Sequence, residues 1–193
     1  MTQGMMELNH ALAALPEVRE LLMDIEAGRC PAAVSGLSGV HRAQLAAALR
    51  QQTQRPLLII CADENEARRM AGDLSVLLGE EVNLLFAREW QLRDRVAASH
   101  GWEQQRIGTL CRLAAGRTGV LAATVDALMQ RTLPPSALEG AVTEIAPGER
   151  FDLAALTKKL TETGYVRTET VEGVGQFALR GGILDVWSPL SAP

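Results

Sequence analysis

The chain has 193 residues, of which 47% are hydrophobic and 22% charged, a composition typical of a soluble globular protein with one domain or with one domain and a small companion. Nineteen basic and 23 acidic residues give a net charge of −4. This balance argues against a major nucleic-acid-binding role, because contacts between basic side chains and phosphates dominate such binding.

The first 61 residues predict two helices followed by a strand, a helix and a second strand. Apolar residues repeat at helical spacing on both sides of Pro16, a residue that suits the first turn of a second helix. A short strand is predicted at 32–34, followed by a glycine-containing turn and a helix that begins near Val40. The continuous apolar run at 56–61 is typical of a buried parallel strand.

The alternation of strand and helix continues to residue 130. Asp63 and Glu66 have the spacing of a capping box and predict a helix that ends at Gly79. The elements predicted after it are a strand at 82–86, a long polar loop at 87–100, a helix at 102–115, a strand at 119–124 and a short helix at 125–130. Because strand and helix alternate four times, the sequence predicts an α/β fold with a mostly parallel sheet flanked by helices.

The pattern changes after the Pro134-Pro135 pair. The elements predicted beyond it are a strand at 142–145, a helix at 151–163 and the segment 164–189. In that last segment polar and apolar residues alternate and glycines intervene, which predicts a strand, a turn, a strand, a tight bend and a strand. We therefore expect a first domain at 1–140 and a small α+β domain at 141–193, truncated at its C-terminal end.

The turn after the strand at 32–34 stands where a phosphate-binding loop of the form G-x-x-x-x-G-K-[ST] would hold a nucleotide. In the matching register the first glycine is kept, but a histidine, an arginine and an alanine replace the second glycine, the lysine and the hydroxyl residue. No lysine precedes Lys158. The sequence predicts a degenerate loop that binds no nucleotide and performs no ATP hydrolysis. The loop residues concerned are Gly36, Gly39, His41, Arg42 and Ala43.

Other kinds of site have little support in the sequence. The three cysteines are scattered without C-x-x-C spacing, and the histidines lack carboxylate partners at metal-ligand spacing, so we expect no metal site and no disulfide framework. No run approaches the roughly 18 apolar residues of a membrane span, and no secretory signal is visible. These features predict a cytoplasmic protein without cofactor or membrane contact.

Two arginines mark a candidate protein-binding surface in the segment 164–189. Arg167 and Arg180 flank its first predicted hairpin, and their guanidinium groups could offer bidentate hydrogen bonds to acidic groups. No catalytic group accompanies them. The pattern therefore favours a non-catalytic binding module.

The degenerate loop and several motifs together make the chain resemble the N-terminal region of bacterial transcription-repair coupling factor (Mfd), which is itself similar to UvrB of nucleotide excision repair. The resemblance covers nearly the whole chain. Its motifs are SGLSG at 35–39, FAREW at 86–90, EQQRIG at 103–108, TVDALMQ at 124–130, GY at 164–165 and GQFALRGGILDV at 175–186.

The resemblance implies a P-loop-NTPase-like first domain that has lost ATP binding and a second domain that recruits UvrA to RNA polymerase stalled at DNA lesions. In the family, the ATP-driven DNA translocase motor and the polymerase-binding domain lie C-terminal to such a region, so RNA polymerase and double-stranded DNA are implied as partners of the full-length protein only. The resemblance also implies that Arg167 and Arg180 face UvrA, with Phe177 and Tyr165 as weaker additions.

Two alternatives remain at this point. The first is a nucleotide-dependent, UvrB-type helicase-like domain that binds ATP through an unusual loop. The second is a regulatory domain that masks its own interface against the rest of the full-length protein.

Overall fold

A computed structural model of the chain describes residues 3–87 and 100–190. In chain order its elements are α1 (Gln3–Ala13), α2 (Pro16–Glu26), α3 (Gly39–Thr53), β1 (Leu57–Cys61), α4 (Glu64–Leu78), β2 (Asn83–Leu85), α5 (His100–Ala114), β3 (Val120–Thr124), α6 (Val125–Met129), α7 (Pro135–Ala141), α8 (Leu153–Glu162), β4 (Val166–Arg167), β5 (Gln176–Arg180) and β6 (Ile183–Trp187). No helix among the described residues has the length and apolar content needed to cross a bilayer.

The elements form two compact units. The first unit comprises the described residues up to Leu85 together with Thr118–Met129, and the second comprises the described parts of Phe86–Arg117 and Gln130–Pro193. Each unit therefore draws on two separate stretches of the chain. The domain boundary near residue 140 stays a prediction, because a compact unit defined by contacts is not the same thing as a domain.

The first unit is built on a parallel sheet with the strand order β1-β3-β2. The central strand β3 is buried along its whole length. Helices α3 and α4 supply alanine, leucine and methionine side chains that pack with β1 and β3 in one hydrophobic core. The structure thus confirms a parallel sheet flanked by helices, as the alternation of strand and helix predicts.

Local signals fix the ends of α4 as the sequence predicts. The Asp63 carboxylate accepts a hydrogen bond from the Glu66 backbone N–H at 2.8 Å. The Glu66 carboxylate accepts one from the Ala62 backbone N–H at 2.9 Å, one residue before the position that a standard capping box would use. Gly79 ends the helix with a φ of 68°, which is the left-handed region that favours glycine.

One strand prediction in the first unit is wrong and a second is only partly right, because β1 forms and pairs in parallel with β3 as expected but is not buried on both faces. Residues 32–34 are exposed and form no strand with any described residue, because two alanines and a valine offer little apolar area to hold them against a sheet. Strand β1 is not buried on both faces, since Leu58 and Ile60 are 50% and 56% exposed. Strand β1 lies at one edge of the sheet, and the side of β1 that carries Leu58 and Ile60 is open to solvent.

The second unit contains a small mixed sheet with the order β4-β5-β6. Strands β5 and β6 form an antiparallel hairpin, and its two turn residues, Gly181 and Gly182, have φ values of 55° and 91°. Two consecutive positive φ angles define a type I′ turn, whose twist matches that of the strands it joins. This tight bend confirms the prediction made from the glycine pair.

The first predicted hairpin of the second unit is wrong. Strands β4 and β5 pair in parallel, with Val166 opposite Gln176 and Arg167 opposite Phe177. Residues 168–175 carry the chain back to the end of the sheet at which β4 begins, so that β5 can run in the same direction. The glycines at 173 and 175 therefore belong to a longer connection. Parallel neighbours need such a connection, whereas a hairpin needs a short turn.

The region around residue 140 also differs from the prediction. The Pro134-Pro135 pair lies at the start of a helix that the sequence did not predict. Pro135 is the first residue of α7, a position where the missing N–H costs nothing. No strand forms at 142–145 among the described residues. The predicted loop at 87–100 lies almost wholly outside the described residues.

Candidate functional site

The β5–β6 hairpin presents two faces, because successive side chains of a strand point to opposite sides of the sheet. The register pairs Ala178 with Asp185, Arg180 with Ile183, and Gln176 with Trp187. These residues share one face, which we call the Arg180 face. Its members are Gln176, Ala178, Arg180, Ile183, Asp185 and Trp187, joined by Val166 of β4 through its pairing with Gln176.

Arg180 lies on this face as an exposed cation. Its Nη2 atom donates to Oδ2 of Asp185 at 2.7 Å, and the two side chains are 61% and 42% exposed. An ion pair so open to water contributes little to stability. The guanidinium group has five N–H donors, so donors remain for a carboxylate of another molecule.

Exposed apolar side chains lie at both ends of this face: Ile183 lies opposite Arg180 beside the turn, whereas Val166 and Trp187 lie at the other end, beyond the fully buried Ala178. Ile183 is 66% exposed, Val166 52% and Trp187 42%. Sequence reasoning missed all three of these residues. A sequence signal for two of them existed, because a two-residue turn at Gly181-Gly182 places Ile183 opposite Arg180 and strand alternation then places Trp187 on the same face.

The structure does not bring Arg167 and Arg180 together on one face. Arg167 pairs in register with Phe177, whose side chain points away from the Arg180 face. Arg167 is exposed and makes no ion pair with any residue that the structure describes. A flat partner surface that contacts Arg180 would meet the opposite side of the sheet from Arg167.

Phe177 and Tyr165 hold the second unit together. Phe177 is 1% exposed, so its ring is not available for direct contact with a partner in this structure, and we assign it to packing. Tyr165 is half-buried, and its hydroxyl lies 3.2 Å from the Ser188 hydroxyl. That hydrogen bond joins the start of β4 to the segment after β6.

A cavity of about 400 Å³ lies within the second unit. Side chains of α5 and α8 supply its apolar walls, and Tyr165 lies at its rim. Its charged groups already have partners in the chain, since Lys159 donates to the Val142 carbonyl at 3.2 Å and Arg117 pairs with Glu144. Burial raises the pKa of the Cys111 thiol in the wall, partly opposed by Arg112, which makes this thiol a poor nucleophile.

The segment 36–43 contains the turn into α3 and the first residues of that helix, and its polar side chains make hydrogen bonds within the chain. Gly36 has a φ of 80°, and the Ser38 hydroxyl lies 3.0 Å from Nδ1 of His41. Arg42 donates from Nη1 to Oε1 of Glu66 at 3.1 Å. Ala43 is fully buried in the core, so the position that would carry a metal-binding hydroxyl faces apolar side chains.

A groove with an acidic rim lies beside this segment in the first unit. It is bounded by α2, residues 32–37 and the first half of α3, it has a volume of about 780 Å³, and we call it the α2–α3 groove. Glu17, Glu20 and Asp24 of α2 contribute three carboxylates to its lining. Asp24 pairs with Arg29 at 2.6 Å, and the remaining negative charges of Glu17 and Glu20 oppose the approach of a polyphosphate.

Cys61, at the end of β1, is the other buried thiol with a shifted pKa. Burial raises its pKa, and the neighbouring carboxylates of Glu66 and Asp63 raise it further. All three causes disfavour the thiolate, so the environment suits a packed, unreactive cysteine.

Comparison with known proteins places these surfaces in context. Residues 143–192 match the family model described as the UvrB interaction domain, and this segment contains the whole hairpin. The chain is 34% identical over 163 residues to a transcription-repair-coupling factor of Myxococcus xanthus, a match that covers 80% of the chain and 14% of that protein.

Two further transcription-repair-coupling factors match over most of the chain. The one from Bacillus subtilis is 29% identical over 82% of the chain, and the one from Escherichia coli is 28% identical over 90%. The chain spans 14% and 15% of the length of these two relatives. The similarity therefore concerns one region of much longer proteins.

Proposed function

The chain is homologous to part of the bacterial transcription-repair-coupling factors and contains a UvrB interaction domain, and on that premise we propose that it is a non-catalytic module that recruits UvrA. Recruitment brings the excision-repair machinery to RNA polymerase stalled at a lesion. RNA polymerase, double-stranded DNA and an ATP-driven motor belong, in this proposal, to the full-length protein of which such a region is one part.

The observation that carries the proposal is the Arg180 face. It combines an exposed guanidinium group with the exposed side chains of Ile183, Val166 and Trp187, all within the segment that matches the UvrB interaction domain. Arginine and tryptophan are enriched among the residues that contribute most to binding at protein interfaces. An acidic partner group can bind Arg180 once the weak pair with Asp185 opens.

In this proposal UvrA contacts only one side of the β4-β5-β6 sheet. Arg180, Ile183 and Trp187 contact UvrA, while Phe177 keeps the hairpin in place from the core. Arg167 lies on the other side of the sheet and contributes only if UvrA wraps around the edge formed by β4. Separate substitutions of the two arginines therefore distinguish a one-sided contact from a wrapped one.

Binding of the chain to purified UvrA, measured by titration, tests the proposal. We expect Arg180→Ala and Trp187→Ala each to weaken binding about tenfold or more, because exposed arginine and tryptophan side chains are the residue types that contribute most to binding at protein interfaces. Arg150→Ala is the matched control, since Arg150 is an exposed arginine of the same unit that lies outside the hairpin. It should leave the affinity within about twofold.

Circular dichroism and thermal unfolding of each variant show whether the fold is kept. If well-folded Arg180→Ala and Trp187→Ala variants bind UvrA as the parent chain does, the Arg180 face is not the recruitment surface. If the parent chain itself does not bind, the recruitment proposal is wrong for this chain.

A further inference from the structure

We infer that the α2–α3 groove binds a basic amphipathic α-helix of another protein. The groove lies in the first unit, whereas the Arg180 face lies in the second, so this inference does not depend on UvrA recruitment. Neither the matched family segment, residues 143–192, nor the degenerate loop accounts for it.

The floor of the groove is apolar and open to solvent. Leu21 and Leu45 contribute to it from α2 and α3, and Leu37 from the connecting segment. Leu15 and Val34, which also line it, are 46% and 52% exposed. Apolar side chains grouped around a concave surface, rather than scattered singly, mark binding sites on soluble proteins.

The rim of the groove carries uncompensated negative charge. Glu17 and Glu20 make no ion pair with the described residues of the chain. Asp24 pairs with Arg29 at 2.6 Å. His41, which also lines the groove, is engaged with Ser38. All of these carboxylates belong to α2, so a partner with basic groups along one side of an apolar stripe complements the rim and the floor together.

The dimensions favour a helix as the bound element. The residues of α2 that line the groove run from Glu17 to Asp24, which at about 1.5 Å per residue gives a wall of roughly 10 Å, or two helical turns. A helix with apolar residues at i, i+3, i+4 and i+7 presents a stripe of this length to a groove between two other helices. Arginine side chains along one side of the stripe reach the rim carboxylates while their stems pack on apolar surface.

Fluorescence anisotropy with three synthetic peptides tests the inference on the whole chain. The probe is a labelled helix of about four turns with leucines at i, i+3, i+4 and i+7 and arginines beside them. The second peptide has glutamates in place of the arginines, and the third has the composition of the probe in scrambled order. We expect saturable binding of the probe and at least tenfold weaker binding of the other two.

Charge-reversal variants locate the site. Glu17→Lys combined with Glu20→Lys should weaken binding of the probe at least tenfold. The matched control is Glu139→Lys combined with Glu169→Lys, which changes the net charge equally at exposed positions of the second unit and should leave the affinity within about twofold.

Each remaining outcome overturns the inference. Absence of probe binding means that the groove does not accept a basic helix. Equal binding of the scrambled peptide, or an equal loss in the control variant, means that the probe is attracted to an acidic protein in general. Equal binding of the glutamate peptide means that Glu17 and Glu20 do not recognise basic side chains of the partner.

Discussion

Phe177 and Arg180 are three residues apart in β5 and have different physical roles. The Phe177 ring is buried to 1% exposure, and truncation of such a ring to alanine costs about 3–5 kcal/mol in a protein core. Arg180 is exposed, and its pair with Asp185 contributes at most about 1 kcal/mol to folding. Loss of partner binding after a change at Phe177 would therefore report on the fold, whereas loss after a change at Arg180 reports on the interface.

Which residues share one face of the sheet depends on the register of the strands, and the sequence predicts this register only in part. Arg167 and Arg180 could be recognised as candidate binding residues from their type and position. That they lie on opposite faces follows from the parallel pairing of β4 with β5, a long-range contact that alternation within one strand cannot predict. Ile183 and Trp187, by contrast, follow from the two-residue turn alone.

Stability should decrease at alkaline pH because of the buried thiols. Burial raises the pKa of Cys61 and Cys111 above the ordinary value of 9.0, so above about pH 9 the unfolded chain loses thiol protons that the folded chain keeps. The free energy of unfolding should be unaffected by these thiols below that pH and should fall above it, by at most about 1.4 kcal/mol per pH unit for each thiol.

Urea unfolding under reducing conditions between pH 7 and pH 10 measures this dependence. The matched variant is Cys61→Ala combined with Cys111→Ala, in which the alkaline decrease should become smaller even though the variant is less stable at every pH. An identical slope in the parent chain and in the variant would assign the decrease to other groups.

At the scale of elements, the signals that are local in sequence could be predicted. The cap at Asp63 and the end of α4 at Gly79 appear where their residue types indicate. Strands at 32–34 and 142–145 do not form, because a strand is stabilised by partners that local apolarity cannot specify. Nothing in the sequence favours parallel over antiparallel pairing of β4 with β5, since the glycines at 173 and 175 are equally compatible with a hairpin turn.

The β5–β6 turn should tolerate a change at one glycine and not at the other. Gly182 has a φ of 91°, which side-chain-bearing residues rarely adopt, although a Cβ there would meet no atom within 4 Å. Gly182→Ala should therefore lower the free energy of unfolding by about 1–2 kcal/mol through backbone strain alone. Gly181, with a φ of 55°, occupies the turn position at which asparagine is favoured.

Gly181→Asn is thus the matched control and should change stability by less than about 0.5 kcal/mol. Urea unfolding gives the stability of both variants, and amide exchange of β5 and β6 shows whether the hairpin opens. Equal costs for the two substitutions would contradict the assignment of a type I′ turn with a strained second position.

At the scale of the whole molecule, each unit carries an exposed surface that combines apolar and charged side chains. The buried thiols have raised pKa values, and Arg42 is tied to Glu66 at 3.1 Å. A net charge of −4 and the acidic α2–α3 groove disfavour polyphosphates further. These features are consistent with a scaffold that carries two separate binding surfaces, one with an exposed arginine and one with an acidic rim.

We expect the segment 36–43 not to bind nucleotide even when one residue of the phosphate-loop motif is restored. Millimolar Mg-ATP should leave the thermal unfolding of the chain unchanged, whereas a ligand at 100 times its Kd adds about 2.7 kcal/mol of stability.

Ala43→Thr restores a hydroxyl at the metal-binding position of the motif, but Ala43 is fully buried in the core. Overpacking should therefore cost about 1–3 kcal/mol without any gain in ATP binding. Gly72→Ala, at an exposed helical position with open space around it, is the control and should raise stability by up to about 1 kcal/mol. Stabilisation of the parent chain by Mg-ATP would instead support the helicase-like alternative, because only a ligand that binds the folded state can raise its unfolding temperature in this way.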